Sequence, residues 1–220
     1  MAVFSSPRPI IFLDVDGVLN TSCLLLGDFE ADDPTLFTRR DAPAGLDIDK
    51  DQLPLKRTLL RNLRWLVEEI DAHIVVTSTW RAYPGMLRFL TAAFEAEGIA
   101  AARIVGATPW QNAAGTLDGR GAEIRAWLAS CPAYAGQPFV VLDDGHAESF
   151  AAAALTSRVV FTSMSADVDD HVQGLTTGHA RRAWELLSAG AAIQTLGSAT
   201  SPPLAGAAEH RGGDEHCGEC

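Results

Sequence analysis

Short apolar runs alternate along the chain with segments whose apolar residues recur at helical spacing. The first run covers residues 9–15 and ends in an acidic, glycine-containing turn, which is typical of a buried parallel strand. Between residues 55 and 70 the apolar positions recur at i, i+4 and i+7, and a second apolar run follows at residues 73–76. This pattern predicts a helix that leads into a second strand.

The alternation of helix and strand repeats three more times before a last helix, which is predicted over residues 178–187. In chain order the predicted elements are helix 85–97, strand 103–105, helix 121–129, strand 139–142, helix 148–154 and strand 158–161. Repeated units of this length favour an α/β fold, with a parallel sheet that carries helices on both faces.

Two segments depart from this alternation. Residues 20–56 lose the apolar periodicity and are rich in Asp and Glu, which predicts a small, acidic, loop-rich insert after the first strand. From residue 197 the chain turns to small, charged, proline and glycine residues, so we expect residues 197–220 to form a disordered tail. Residues 1–196 are accordingly predicted to form a single domain.

Composition and charge narrow the class of protein. The chain has 220 residues, is 47% hydrophobic, and carries 17 Lys and Arg against 28 Asp and Glu, for a formal net charge of -11. These values fit a globular domain and exclude a mostly disordered chain, and the shortage of basic residues argues against sequence-independent coating of nucleic acid. Few, scattered cysteines and the absence of a long apolar run predict a cytoplasmic protein without a membrane segment.

Polar residues follow three of the predicted strands. Asp14 and Asp16 end the first, the sequence Thr-Ser-Thr-Trp-Arg at 77–81 ends the second, and Asp143 and Asp144 end the strand at 139–142. Ligands of open parallel sheets bind beyond the carboxyl ends of the strands, where the strand order reverses. We therefore expect these acids and hydroxyls to converge on one edge of the sheet.

The first pair of acids suggests phosphoryl transfer. Residues at i and i+2 face the same way only if the chain leaves extended geometry, and Gly17 permits that departure. With Asp14 as nucleophile and Asp16 as acid and base, a phosphoryl group could transfer to Asp14. Thr77 would bind a phosphate oxygen, although Thr77 and Ser78 could instead cap the strand end.

An attacking carboxylate and a phosphate repel each other, so such a site needs cations. Asp14, the backbone carbonyl of Asp16, and Asp143 or Asp144 offer the oxygen ligands that suit Mg²⁺.

A cation for the developing charge is also needed. The only lysines, Lys50 and Lys56, precede the second strand, so Arg120 is the candidate. Its alternative role is a surface arginine paired with Glu123 at i+3. Arg81 either reaches the substrate, as Ser78 would, or is a solvated residue at a helix start.

The segments DVDGVLN at 14–20, TSTWR at 77–81 and VVLDD at 140–144 resemble motifs one, two and four of the haloacid dehalogenase (HAD) superfamily. With RGAEIRAWL at 120–128 and GLT at 174–176, they resemble the HAD domain of Swiss-army-knife RNA repair proteins over about residues 9–190.

The resemblance implies a Rossmann-like fold, Mg²⁺ and an aspartyl-phosphate intermediate on Asp14. It also implies Asp16 as acid and base, Thr77 as the phosphate-binding hydroxyl, and Asp143 or Asp144 as a metal ligand. Arg120 would then occupy the place that a lysine usually holds.

The expected function is that of a Mg²⁺-dependent phosphohydrolase acting on a phosphomonoester, either of a small molecule or of a nucleic-acid end. The insert is too short for a large closed lid, which suits a bulky substrate, but its acidity would repel a polyanion. Two alternatives stay open: a noncatalytic HAD-like module that binds a phosphate or a protein, and a phosphotransferase.

Overall fold

This computed structural model describes residues 8–25, 29–30, 32–46, 48, 54–109, 119–165, 167 and 169–198. Seven strands, six α-helices and five short 3-10 helices make up the regular structure of these residues. The strands are β1 (Ile10–Leu13), β2 (Leu36–Phe37), β3 (Leu55–Lys56), β4 (His73–Val76), β5 (Ile104–Ala107), β6 (Phe139–Asp143) and β7 (Val159–Phe161). The helices are α1 (Ser22–Leu25), α2 (Arg57–Ile70), α3 (Pro84–Ala96), α4 (Gly119–Ser130), α5 (Ala147–Ala152) and α6 (Thr177–Ser198).

A parallel sheet with the strand order β5-β4-β1-β6-β7 forms the centre of the fold. The chain builds outward from β1 through β4 to β5, and then returns to the other side of β1 to add β6 and β7. The strand order therefore reverses at β1, which is where open α/β sheets bind their ligands. The register aligns the ends of β1, β4 and β6, so Asp14, Thr77 and Asp143 form a row across three adjacent strands.

Successive residues of each strand enter different cores, because side chains of a strand alternate between the faces of the sheet. On one face Ile11 and Leu13 pack with residues of α2, α3 and α6. On the other, Ile10 and Phe12 pack with residues of α4 and α5, among them Trp127. Apolar residues at consecutive positions thus produce the predicted α/β fold, a parallel sheet with helices on both faces.

One predicted element differs clearly in extent. The last helix, predicted to end at residue 187, continues to Ser198, and Gly190 lies where a Cβ atom would approach Pro138 to 3.1 Å. Small residues let the helix pass close to the start of β6, and alanine favours the helical state, so the run of Ser, Ala and Gly at 188–192 did not mark its end. The remaining predicted elements of the sheet and its helices lie within two residues of their predicted bounds.

The described residues of the insert are loop-rich, as predicted, and form three short elements. The insert contains α1 and the antiparallel pair β2–β3, whose residues Leu36, Phe37 and Leu55 are buried. Arg57, the first residue of α2, donates to the carbonyl oxygen of Leu36 at 2.9 Å and to the buried Glu97 at 2.7 Å. This arginine therefore ties the insert to the helical layer beneath it.

Residues 199–220, most of the predicted tail, lie outside the described residues. Of the helices in the described part of the chain, none has the length and apolarity to cross a membrane.

Helix α4 packs closely on α5 at Gly121, and this contact positions the start of α4. A Cβ atom at Gly121 would lie 2.7 Å from Cβ of Ala153 and would also collide with the backbone oxygen of Ser149. Gly121→Ala is therefore expected to lower the free energy of unfolding by about 1–3 kcal/mol, the usual cost of overpacking.

The matched control is Gly178→Ala in the first turn of α6, where the nearest atom to an added Cβ, Thr176 Oγ1, is 3.6 Å away. This variant is expected to be as stable as the parent or slightly more stable, because alanine favours helix over glycine. Urea unfolding of both variants checks the contrast, and equal stabilities would show that the α4–α5 contact tolerates a side chain.

Candidate active site

Three strand ends bring an acid, a hydroxyl and a second acid together around one cation. Asp14, Thr77 and Asp143 are buried at the ends of β1, β4 and β6. Nη1 of Arg120 lies 3.1 Å from Oδ2 of Asp14, 3.0 Å from Oδ2 of Asp143 and 3.2 Å from Oγ1 of Thr77. A single nitrogen thus contacts all three side chains of the row.

Arg120 reaches this position from the first turn of α4. Arg120 is only 6% exposed, so the alternative of a surface arginine is wrong. Oε2 of Glu123 does lie 3.8 Å from Nε of Arg120. The helix begins at Gly119, whose φ of +81° is readily adopted only by glycine. Backbone geometry at Gly119 and the close α4–α5 packing together aim the guanidinium at the strand ends.

The chain turns sharply after β1, as the sequence predicts. Gly17 has a φ of +72°, and a Cβ atom there would collide with the side chain of Asp144. Its N–H donates to Oδ1 of Asn20 at 2.9 Å, which closes the turn. A residue with a side chain at this position could not lie so close to Asp144.

Two hydrogen bonds hold the Asp16 carboxyl group. Nδ2 of Asn20 donates to Oδ1 at 2.8 Å, and Nε1 of Trp80 donates to Oδ2 at 3.0 Å. Burial raises the pKa of Asp16 above its usual value and the neighbouring charge of Asp14 adds to the rise, while both hydrogen bonds oppose it. A carboxyl group whose pKa is raised can retain a proton closer to neutral pH.

A second group of acids could hold a metal ion. Among the described residues, Asp14, Asp143 and Asp144 each offer a carboxylate oxygen within 4.8 Å of the others. Oxygen-only donors of this kind fit a hard divalent cation such as Mg²⁺. The sequence left Asp143 and Asp144 as alternatives, and the structure brings both into the cluster.

Burial and the repulsion between like charges raise the pKa values of two acids of this cluster. Burial, followed by the charge of Asp14, raises the pKa of Asp143 to about 7, against the opposing effect of Arg120. The same two causes raise the pKa of Asp144. Both shifts mean that ionising all three acids together is unfavourable, because Arg120 supplies a single positive charge to the cluster.

Asp16 was predicted to contribute its backbone carbonyl to the metal, and this stays a prediction. Its side-chain oxygens face Asn20 and Trp80, and it does not belong to the group of acids above.

Ser78 and Arg81, predicted to bind substrate, make contacts behind the row of strand ends. Oγ of Ser78 accepts a hydrogen bond from the backbone N–H of Trp80 at 3.3 Å, as the capping alternative anticipated. Arg81 donates to the carbonyl oxygens of Thr77 and Ser78 and to Oε2 of Glu123, the last at 2.6 Å. The Arg81 side chain is 3% exposed, so the alternative of a solvated helix-start residue is wrong, and contact with substrate stays a prediction for both residues.

Sequence reasoning missed two residues of this site, Asn20 and Trp80. Asn20 lies four residues after Asp16 in a segment that turns at Gly17, and this spacing in a tight turn was the available signal. Trp80 lies 64 residues from Asp16 along the chain. No local pattern could link those two residues.

The geometry agrees with the comparison to protein families. The family described as the HAD domain in Swiss Army Knife RNA repair proteins matches residues 10–172, a span that includes all five strands of the parallel sheet and every site residue above. No curated protein and no solved structure gives a significant match. On the strength of the family match, the chain belongs to the HAD domains of Swiss Army Knife RNA repair proteins.

Proposed function

We propose that this protein is a Mg²⁺-dependent phosphomonoester hydrolase in which Asp14 is the nucleophile and Asp16 is the general acid and base. The observation that carries the proposal is the convergence of Asp14, Thr77, Asp143 and Arg120 on one point, at the strand ends where the sheet order reverses. This arrangement supports the proposal, because a carboxylate oxygen of Asp14 lies close to a hydroxyl and a buried guanidinium, as nucleophilic attack on a phosphoryl group requires.

The reaction has two steps. An Asp14 oxygen attacks phosphorus while the bond from phosphorus to the leaving oxygen breaks, and Asp16 gives its proton to that oxygen. Asp16 then takes a proton from water as the water oxygen attacks phosphorus, and the bond from Asp14 to phosphorus breaks. Inorganic phosphate leaves, and Asp14 is again a carboxylate and Asp16 again protonated.

The cationic groups have distinct roles. Asp14, Asp143 and Asp144 would hold Mg²⁺, which when bound supplies positive charge against the phosphate oxygens. Arg120 keeps the Asp14 carboxylate oriented and, with the Thr77 hydroxyl, stabilises charge on the transferring group. Arginine keeps its charge at any working pH, which suits this fixed role.

Because the family is described as a domain of RNA repair proteins, we propose a phosphoryl group at the end of a nucleic-acid strand as the substrate class. The acidic insert and the net charge of -11 favour recognition of a single terminal phosphate over binding along a polyanionic backbone.

Removing the nucleophile tests the proposal directly. Asp14→Asn is expected to lower the Mg²⁺-dependent release of p-nitrophenol from p-nitrophenyl phosphate by a factor of about 10³ or more, because an amide cannot form the intermediate. The control is Asp71→Asn, at the opposite end of β4, where the acid pairs with Arg8 and Arg103; it should retain activity. Activity retained in Asp14→Asn would contradict the proposed chemistry.

Asp144→Asn is expected to stabilise the protein in the absence of metal and to abolish its stabilisation by Mg²⁺. Because the pKa of Asp144 is raised in the folded protein, its ionised form opposes folding at neutral pH, and the substitution should raise the melting temperature in EDTA. The parent should gain about 2.7 kcal/mol when Mg²⁺ is 100 times its dissociation constant, or about 5–10 °C, and the variant should lose this gain.

The control again uses Asp71, whose pKa is lowered, first by its hydrogen bond from Arg103. Since that ionised carboxylate supports folding, Asp71→Asn should lower the melting temperature in EDTA and keep the full response to Mg²⁺. Thermal melts of the parent, Asp144→Asn and Asp71→Asn proteins, with and without Mg²⁺, check the predicted rise in melting temperature for Asp144→Asn and the predicted fall for Asp71→Asn. An Asp144→Asn protein that responds to Mg²⁺ like the parent would remove Asp144 from the metal site.

Substitutions of Arg120 test the role of the cation. Arg120→Lys keeps a positive charge beside Asp14 and Asp143 and is expected to retain activity within about tenfold. Arg120→Met removes the charge and is expected to lower kcat by a factor of about 10²–10³. Rates are compared per folded molecule, because removing one member of a buried ion pair also destabilises the protein. Equal kcat values for the two variants would contradict a role for the charge.

A further inference from the structure

We infer that Trp80 is a positioning residue that, together with Asn20, fixes the Asp16 carboxyl group in the orientation from which it delivers a proton to the leaving oxygen. The inference rests on the role of Asp16 in the proposed function. It assigns a task to two residues whose contacts with Asp16 would otherwise have no part in the reaction.

The indole of Trp80 is held rigidly where it meets Asp16. Trp80 is 4% exposed, belongs to the larger hydrophobic core, and packs against Phe89 with ring centroids 6.1 Å apart. Its Nε1–H, which can act only as a donor, lies 3.0 Å from Oδ2 of Asp16. A fixed ring with a single donor holds that carboxylate oxygen at a defined point.

Asn20 holds the second oxygen. Its side chain is fully buried, and its Oδ1 accepts the N–H of Gly17 at 2.9 Å. Because the amide oxygen faces a backbone donor, the Nδ2 group must face Asp16, and it lies 2.8 Å from Oδ1. The assignment of the amide thus follows from its partners.

Two donors, one on each oxygen, determine the plane of the carboxyl group. The terminal torsion of an unrestrained aspartate is broad, whereas a general acid must lie within hydrogen-bonding reach of the oxygen it protonates. Each carboxylate oxygen has two lone pairs, so one hydrogen bond to each leaves a site for the proton that is transferred. The two contacts therefore restrict rotation without occupying the site of proton transfer.

The turn that carries Trp80 is itself supported by the two residues predicted to bind substrate. Trp80 lies in the 3-10 turn Thr79–Ala82, which Ser78 caps through its hydroxyl. Arg81 donates to the carbonyl oxygens of Thr77 and Ser78 and is paired with Glu123. The segment 77–81 thus orients the Thr77 hydroxyl and the Trp80 indole from one short turn.

The test is the dependence of the rate on the leaving group in Trp80→Phe, which keeps an aromatic ring and removes the N–H donor. Two substrates are compared, 2,4-dinitrophenyl phosphate, whose leaving phenolate needs little protonation, and glycerol phosphate, whose leaving alkoxide needs a proton. The value of kcat/KM reports the steps up to leaving-group departure and so excludes hydrolysis of the intermediate. We expect a loss of about tenfold or more for glycerol phosphate and less than about threefold for the dinitrophenyl ester.

Trp127→Phe is the matched control. Trp127 is 6% exposed and packs against Phe12 on the opposite face of the sheet, so the substitution makes the same chemical change at similar burial without touching Asp16. It should change kcat/KM for the two esters by equal factors. Equal losses for the two esters in Trp80→Phe would overturn the positioning role and leave the proposed function intact. A parent enzyme that hydrolyses neither ester with Mg²⁺ would instead overturn the proposed function and this role with it.

A second measurement covers the case in which Trp80→Phe does not fold. The chain has five tryptophans, whose indole N–H groups give separate NMR signals. Asp16→Asn replaces the carboxyl group that accepts this hydrogen bond with an amide, and we expect the Trp80 indole signal to shift while the Trp127 signal stays in place. An unchanged Trp80 signal would show that its N–H does not bind Asp16 and would overturn the inference.

Discussion

The buried guanidinium of Arg120 is the interaction on which the rest of the site depends. Asp14, Asp143 and Asp144 lie close together with little solvent, and burial and mutual repulsion raise the pKa values of the last two. Arg120 places one nitrogen within 3.1 Å of both Asp14 and Asp143, which permits carboxylates to lie side by side at the end of the sheet. The remaining negative charge is what a divalent cation would neutralise.

The contacts of Arg120 with Asp14 and Asp143 depend on how distant parts of the chain pack together. The parallel register of β1, β4 and β6 brings Asp14, Thr77 and Asp143 to one level, and close packing of α4 on α5 at Gly121 aims the start of α4 toward that row. The turn at Gly17 then brings Asp16 beside the row, where Trp80 and Asn20 hold it. The sheet supplies Asp14, the proposed nucleophile, and the loops supply Asp16, the proposed acid, and its support.

Much of this arrangement was predictable from the sequence, because it depends on local patterns. Consecutive apolar residues followed by Asp14, Thr77 or Asp143 are enough to predict parallel strands whose polar ends meet. The full length of α6 was not predicted, since the small residues at 188–192 interrupt the apolar pattern before Ile193 and Leu196 continue it. The burial of Arg120 and the contact of Trp80 with Asp16 could not be predicted from the sequence either, because both depend on tertiary packing between segments far apart in the chain. Arg81 shows the same limit: its pairing with Glu123 is a long-range contact, and local sequence suggested either substrate or solvent.

The measurement that tests the central claim most directly is a crystal structure of the protein with Mg²⁺ and beryllofluoride, which mimics a phosphoryl group on a carboxylate. The account predicts beryllium bonded to an Asp14 oxygen, Mg²⁺ bound by Asp14, Asp143 and Asp144, and fluorine atoms in contact with Thr77 and Arg120. Beryllofluoride absent from Asp14, with Mg²⁺ bound away from Asp143 and Asp144, would contradict it.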